Sequence, residues 1–150
     1  MIYTKVEKGE IYWCEKAVSG NKADTKKRPV IVVSGDQLNN QYSSQCMVAC
    51  LTTVPKKERK SHVPLTSTEA GRFRGSTVIC ERIYTIEKSR LQTYTYANER
   101  ASTEEVRLIE EGIKVAMDMD LSLETETESR LNFERDFYKQ QYEELLGSLI

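Results

Sequence analysis

Lys26-Lys27-Arg28-Pro29-Val30-Ile31-Val32-Val33-Ser34 joins three cationic residues directly to an apolar, mostly β-branched run. A run of that kind reads as a buried strand entered from a charged loop. Pro29 has no N–H to give to a sheet ladder, so it belongs at the first residue of the strand. That places Arg28 at the sheet rim, where a guanidinium on a rigid strand suits a phosphate.

Upstream of this strand, Gly9-Glu10-Ile11-Tyr12-Trp13-Cys14-Glu15 combines β-formers with rough alternation after a Lys8-Gly9 turn signal, and reads as a first strand. Between the two, residues 17–27 are polar and turn-rich and read as an exposed loop. Downstream, turn residues at Gly35 to Asn40 lead to an expected strand over Gln45 to Val54. A second basic loop, Pro55-Lys56-Lys57-Glu58-Arg59-Lys60, precedes a short strand at His62-Val63-Pro64-Leu65. Ser76 to Ile86 is the longest remaining strand candidate, and Leu91 to Tyr96 alternates as a closing strand.

From Ser102 the period changes. Ser102 and Glu105 form a capping box, and Val106, Ile109, Ile113, Ala116 and Met117 recur at helical spacing, which predicts a helix packed by one face on the sheet. Gly112 inside that helix marks close approach to a neighbour. A second capping box, Thr125 with Glu128, precedes the stripe Leu131, Tyr138, Tyr142, Leu145 and Leu149, predicting a further amphipathic helix. Its stripe must be covered by its own sheet, by a second copy or by a partner.

Short strands with basic loops, followed by helices, predict a mostly β chain with C-terminal helices (α+β): a small, strongly bent antiparallel sheet or barrel. One domain suffices for 150 residues. We divide the chain into residues 1–121, a barrel with its packed helix, and residues 122–150, an acidic helical extension that is not an independent domain.

The net charge of −1 conceals a split between the two ends. Residues 1–100 hold 17 Lys and Arg against 10 Asp and Glu, whereas residues 101–150 hold 5 against 13. The first part attracts polyanions, and the second repels them or covers the first. No run approaches the roughly 18 apolar residues of a membrane span, and Met1 to Lys5 opens no signal region, so a cytoplasmic protein without a membrane partner is expected.

Cys14, Cys46, Cys50 and Cys80 lie inside strand-like runs with no CxxC spacing, and read as reduced, packed thiols. His62 is the only histidine, and the strand region has no acidic cluster, so neither a metal nor a cofactor is expected. Walker, GxGxxG and GxSxG motifs are absent, and a histidine-pair ribonuclease is excluded by count. What remains is a set able to act on a phosphodiester: Arg28, Thr52, Thr53, Ser76 and the carboxylate of Glu81. RNA carries its own nucleophile in the 2′-OH, so an enzyme need only orient it, stabilise the phosphorane and protonate the leaving oxygen. Taken singly, a rim arginine is often a salt-bridge partner and a strand threonine often just a β-former.

The segments Gly9-Glu10-Ile11-Tyr12-Trp13, Arg28 to Ser34, Val48-Ala49-Cys50-Leu51-Thr52, His62-Val63-Pro64-Leu65 and Ser76-Thr77-Val78-Ile79-Cys80-Glu81 with Thr85-Ile86-Glu87-Lys88 resemble, in order and spacing, the MazF/PemK toxin family over roughly residues 8–120. The resemblance implies an SH3-like or CcdB-like barrel, usually a homodimer, acting as a metal-independent endoribonuclease on single-stranded RNA and neutralised by an antitoxin protein. It implies Arg28 as the catalytic arginine, Thr52 as a contact to the scissile phosphate, and Glu81 as a general base for the 2′-OH or, equally, a strand-end salt-bridge partner. Lys26, Lys27, Thr53, Lys56, Lys57 and Ser76 are the expected RNA-binding residues. The sequence departs from the family at Asn21 to Lys27 and at Arg82-Ile83-Tyr84, both near the expected RNA groove. A non-catalytic module holding RNA or protein on the same barrel is the alternative. Tyr12, Trp13, Phe73 and Tyr84 would then stack on bases, or else serve as core and strand-face aromatics.

Overall fold

The computed structural model describes residues 1–15, 26–92, 99–119, 134–135 and 137–147. Its strands are β1 (Ile11–Cys14), β2 (Arg28–Val32), β3 (Gln45–Thr52), β4 (His62–Pro64) and β5 (Thr77–Glu87), with a short helix α1 (Asp36–Asn39) and a longer one, α2 (Thr103–Ala116). The strands form one antiparallel sheet in the order β1-β2-β3-β5-β4. Isolated bridges, Glu10 to Arg100 and Cys14 to Leu91, extend the sheet at the β1 edge. The expected loop over residues 17–25 and most of the expected closing strand lie outside the described residues, as do the Thr125–Glu128 capping box and Leu131.

β2 opens at Arg28, one residue before the proline expected to begin it, with Arg28 opposite Cys14 and Pro29 opposite Trp13 on β1. Its run is apolar without alternation because the sheet is buried on both faces. Ile31 joins a cluster with Ile11, Ala49, Leu51, Val63, Val78 and Cys80, whereas Val30 and Val32 join Val6, Cys14, Cys46, Val48, Ile86 and Leu91 on the other face. Trp13 and Phe73 pack on each other with ring centroids 5.5 Å apart, and Tyr12 and Tyr84 pack against the second cluster. These four aromatics are structural packing.

α2 covers the first face through Ile109, with Val106 and Ile113 beside it. Its capping box is complete, Ser102 Oγ accepting from the Glu105 N–H and Glu105 accepting from the Ser102 N–H. Glu105, 5 % exposed, reaches further and accepts from the Thr66 N–H at 2.7 Å. One carboxylate thereby ties the helix start to the loop after β4. Burial acts to raise the Glu105 pKa, but hydrogen bonds from Ser102, Thr66 and Ser67 outweigh it and hold the carboxyl below its ordinary value.

β5 is long enough to bend. Its residues 83–87 pair with the first half of β3 and residues 77–79 with the second, the register shifting between Ala49 and Cys50. Cys80, Glu81 and Arg82 are therefore left over as a bulge, and β4 pairs with the stretch just before it.

Residues 137–147 are helical, and all are exposed. Tyr138, Tyr142 and Leu145 are each more than 60 % exposed, so this part of the stripe is not buried on the sheet. Among the described residues no helix is long and apolar enough to cross a membrane.

Candidate active site

β2 begins, β3 ends and β5 begins at the same end of the sheet. The β2–β3 ladder ends at the Val30–Cys50 pair, and two residues beyond it on each strand come Arg28, the first residue of β2, and Thr52, the last of β3. Thr52 is itself paired with Thr77, and Thr77 with Pro64. Residues two apart along a strand share a face, so Arg28 and Thr52 lie on the face of Val30 and Cys50, and Thr77, paired with Thr52, lies on it too; Arg28, Thr52 and Thr77 make up the end row of that face. It is the face turned away from α2, because Leu51 and Val78, the neighbours of Thr52 and Thr77, belong to the cluster under that helix.

The next row on this face runs through Val30, Cys50, Ile79 and His62. Cys50 is half-buried. Burial raises its thiol pKa, while the guanidiniums of Arg82 and Arg28 both act in the opposite sense. Two cations from strands on either side of β3 thus flank one side chain. Arg82 stands in the sequence only as a departure from the family pattern; in the structure it belongs to the bulge, near enough for its charge to act on Cys50, and no spacing in the sequence marks a bulge.

Lys26, Lys27, Arg28, Thr53, Lys56 and Lys57 are all exposed, with Thr52 half-buried at the strand end. The two basic loops accordingly leave from the end of the sheet that carries the Arg28–Thr52 row. Ser76 is different. It is 4 % exposed, and its backbone donates to Phe73 and accepts from Leu65, so it offers no hydroxyl to RNA and is corrected to a buried turn residue.

Glu81 stands apart from the row, in the bulge. His62 Nε2 lies 2.9 Å from Glu81 Oε1, and His62 Nδ1 lies 2.7 Å from the Lys57 carbonyl. Two oxygen acceptors therefore face the two ring nitrogens and fix the plane of the imidazole. Burial raises the Glu81 carboxyl, but hydrogen bonds from His62, its own backbone and Ser61 leave it below its ordinary value. A carboxylate stabilised in this way is a weak proton acceptor.

The thiols of Cys46 and Cys80 are pushed up by burial, to about 11 and about 12, and all four cysteines are free. Among the described residues no three His, Cys, Asp or Glu side chains gather as a metal-binding group.

Comparison with known proteins bears on the family and the fold. The sequence model for PemK-like, MazF-like toxins of type II toxin-antitoxin systems matches residues 7–117. The Endoribonuclease EndoA of Bacillus subtilis (strain 168) is 30 % identical over 87 residues, covering 57 % of this chain and 74 % of that protein. Among solved structures, an endoribonuclease from a mycobacterial species superposes with a TM-score of 0.61 at 17 % identity, over 77 % of this chain and 94 % of its own. A mycobacterial endoribonuclease in complex with its cognate antitoxin gives 0.59 at 18 % identity, over 75 % and 95 %. MazF from Deinococcus radiodurans gives 0.58 at 14 % identity, over 76 % and 97 %. At these identities the solved structures speak for the fold alone.

Proposed function

Because the chain belongs to the family of PemK-like, MazF-like toxins of type II toxin-antitoxin systems, we propose that it is an endoribonuclease that cuts single-stranded RNA and is neutralised by an antitoxin protein. The observation that carries this reading is that Arg28 and Thr52 share one face at the end of the sheet bordered by both basic loops, each two residues beyond the paired Val30 and Cys50.

A phosphodiester laid across that face meets a planar guanidinium on one side and a hydroxyl on the other. Arg28 grips two phosphate oxygens and stabilises the dianionic phosphorane as the 2′-oxygen attacks; the proton lost by the 2′-OH passes to solvent water, the departing 5′-oxygen takes a proton from Arg28, and water returns one to the guanidine. Thr52 donates to a non-bridging oxygen and fixes the phosphate for in-line attack. Arg82, Lys26, Lys27, Lys56 and Lys57 draw the anionic strand to this face. Glu81 sits outside the row and is tied to His62, so we assign it to contact with the RNA rather than to proton abstraction. Thr53, exposed at the end of β3, stays with the RNA-binding residues.

We assign residues 1–121 to the catalytic body, working as a homodimer in the cytoplasm, and residues 122–150 to an acidic extension beyond the family match. The reading is tested by inducible expression in a bacterial host. Expression of the parent arrests growth and Arg28→Ala, made to the same level, does not; continued growth with the parent, or arrest with the variant, contradicts it.

A further inference from the structure

Three observations converge on Glu81. Glu81 lies in the bulge 2.9 Å from His62, and His62 belongs to the row Val30, Cys50, Ile79 and His62 on the face turned away from α2, which sets Glu81 beside the face that carries Arg28 and Thr52. Its side chain is 40 % exposed, whereas that of His62, which holds it, is only 9 % exposed. Its surroundings are cationic, with Arg82 next in the chain and Lys57, Arg59 and Lys60 on the loop whose carbonyl fixes the far side of the imidazole.

An acceptor fixed by a buried ring and left open to solvent within a basic surface has a specific use if RNA lies there. Carboxylates repel phosphates, so Glu81 gains nothing from the RNA backbone. It gains from a base edge that donates. We infer that Glu81 is a specificity-determining residue that accepts a hydrogen bond from the exocyclic amino group of an unpaired base, of which cytosine N4 is the simplest case, and that His62 is its positioning residue. Uracil carries a carbonyl oxygen where cytosine carries the amine, and that oxygen would face the carboxylate lone pair to lone pair. Single-stranded RNA presents such edges because its bases are splayed from the helix stack. The inference rests on the RNA-binding part of the proposed function, not on the cleavage step.

Binding of 2′-O-methyl oligocytidylate and oligouridylate of equal length, measured by fluorescence anisotropy at low salt, tests it, since neither can be cleaved by its own 2′-oxygen. The parent should bind the cytidylate at least about tenfold more tightly, the scale of one good base-edge contact. Glu81→Gln should reduce the ratio to about twofold or less. His62→Ala should lower the ratio while leaving oligouridylate affinity unchanged, and His62→Gln, which keeps a donor toward Glu81, should restore part of it. A merely structural histidine would weaken both oligonucleotides alike. A parent ratio near one, or a ratio unchanged in Glu81→Gln, overturns the inference even if the protein cleaves RNA. A parent that keeps the ratio but never cuts RNA overturns the nuclease reading instead, and failure to bind either oligonucleotide overturns both.

Discussion

Gly112 of α2 lies against Cys80 of β5 so closely that a Cβ built on the glycine would sit 2.7 Å from the cysteine Sγ and 2.8 Å from the Lys60 carbonyl oxygen. A helical glycine costs about 1 kcal/mol relative to alanine. Here that cost is offset by what the close approach permits, which is seating the helix directly on the strand that bulges toward the site.

Gly112→Ala should therefore destabilise the protein despite its better helix propensity. Overpacking of this kind costs about 1–3 kcal/mol, which for a chain of this length lowers Tm by roughly 2–4 °C per kcal/mol. Thermal unfolding by circular dichroism decides it. A raised Tm would mean that the neighbours yield, and that the contact does not fix α2.

Glu105→Gln probes the tie at the other end of the same helix. The Glu105 pKa is lowered on folding, so its contribution is complete above the unfolded-state value of about 4.3 and is lost as pH falls through the lower, folded value. At pH 7 the variant should be less stable than the parent by about 1–3 kcal/mol, because hydrogen bonds to a charged acceptor are weakened. The gap should narrow as pH falls below about 4. Denaturant midpoints at the two pH values give the answer, and a gap independent of pH would remove the charge from the account.

Arg82→Gln should weaken RNA binding by a similar factor for all sequences and reduce the salt slope by about 0.7, the value for one phosphate contact on a single strand. Stability should stay unchanged, because Arg82 is exposed. A sequence-selective loss would move Arg82 from the backbone to a base edge.

Removal of residues 122–150 separates the proposed body from its extension. The truncated protein should keep its Tm within about 2 °C, since the described residues 137–147 are exposed, and should sediment as a dimer of truncated chains. If the extension damps cleavage through its acidic charge, the truncation cuts RNA faster than the full 17.3 kDa chain at low salt and equally fast at high salt. An insoluble truncation would show that the extension completes the core, and a mass of one chain at micromolar concentration would refute the pairing.

The elements that position the site were legible wherever a local rule governed them. Pro29 placed the start of β2, and the Ser102–Glu105 box placed the start of α2. Gly112 announced a close approach that the structure fills with Cys80. The bulge was not legible, because Ser76 to Ile86 reads as unbroken strand and the three extra residues exist only in the pairing with β3. The His62–Glu81 contact joins residues 19 apart through that same bulge, and so was equally hidden. Ser76 looked available because it opens an expected strand beside polar residues, but its burial depends on the backbone hydrogen bonds that hold it between Leu65 and Phe73, which the sequence does not display.

Arg28 and Thr52, in the proposed reaction, cleave RNA by directing its own 2′-oxygen onto the phosphate. This reaction is tested most directly by incubating the full-length protein with an unstructured RNA in EDTA and identifying the new ends. The account predicts a 2′,3′-cyclic phosphate and a 5′-hydroxyl, at a rate unchanged by chelation, with Arg28→Lys slower by about 10²–10³ because an ammonium keeps the charge but not the planar fork. Loss of cleavage on chelation, 5′-phosphate ends, or an Arg28→Lys variant as fast as the parent would contradict it.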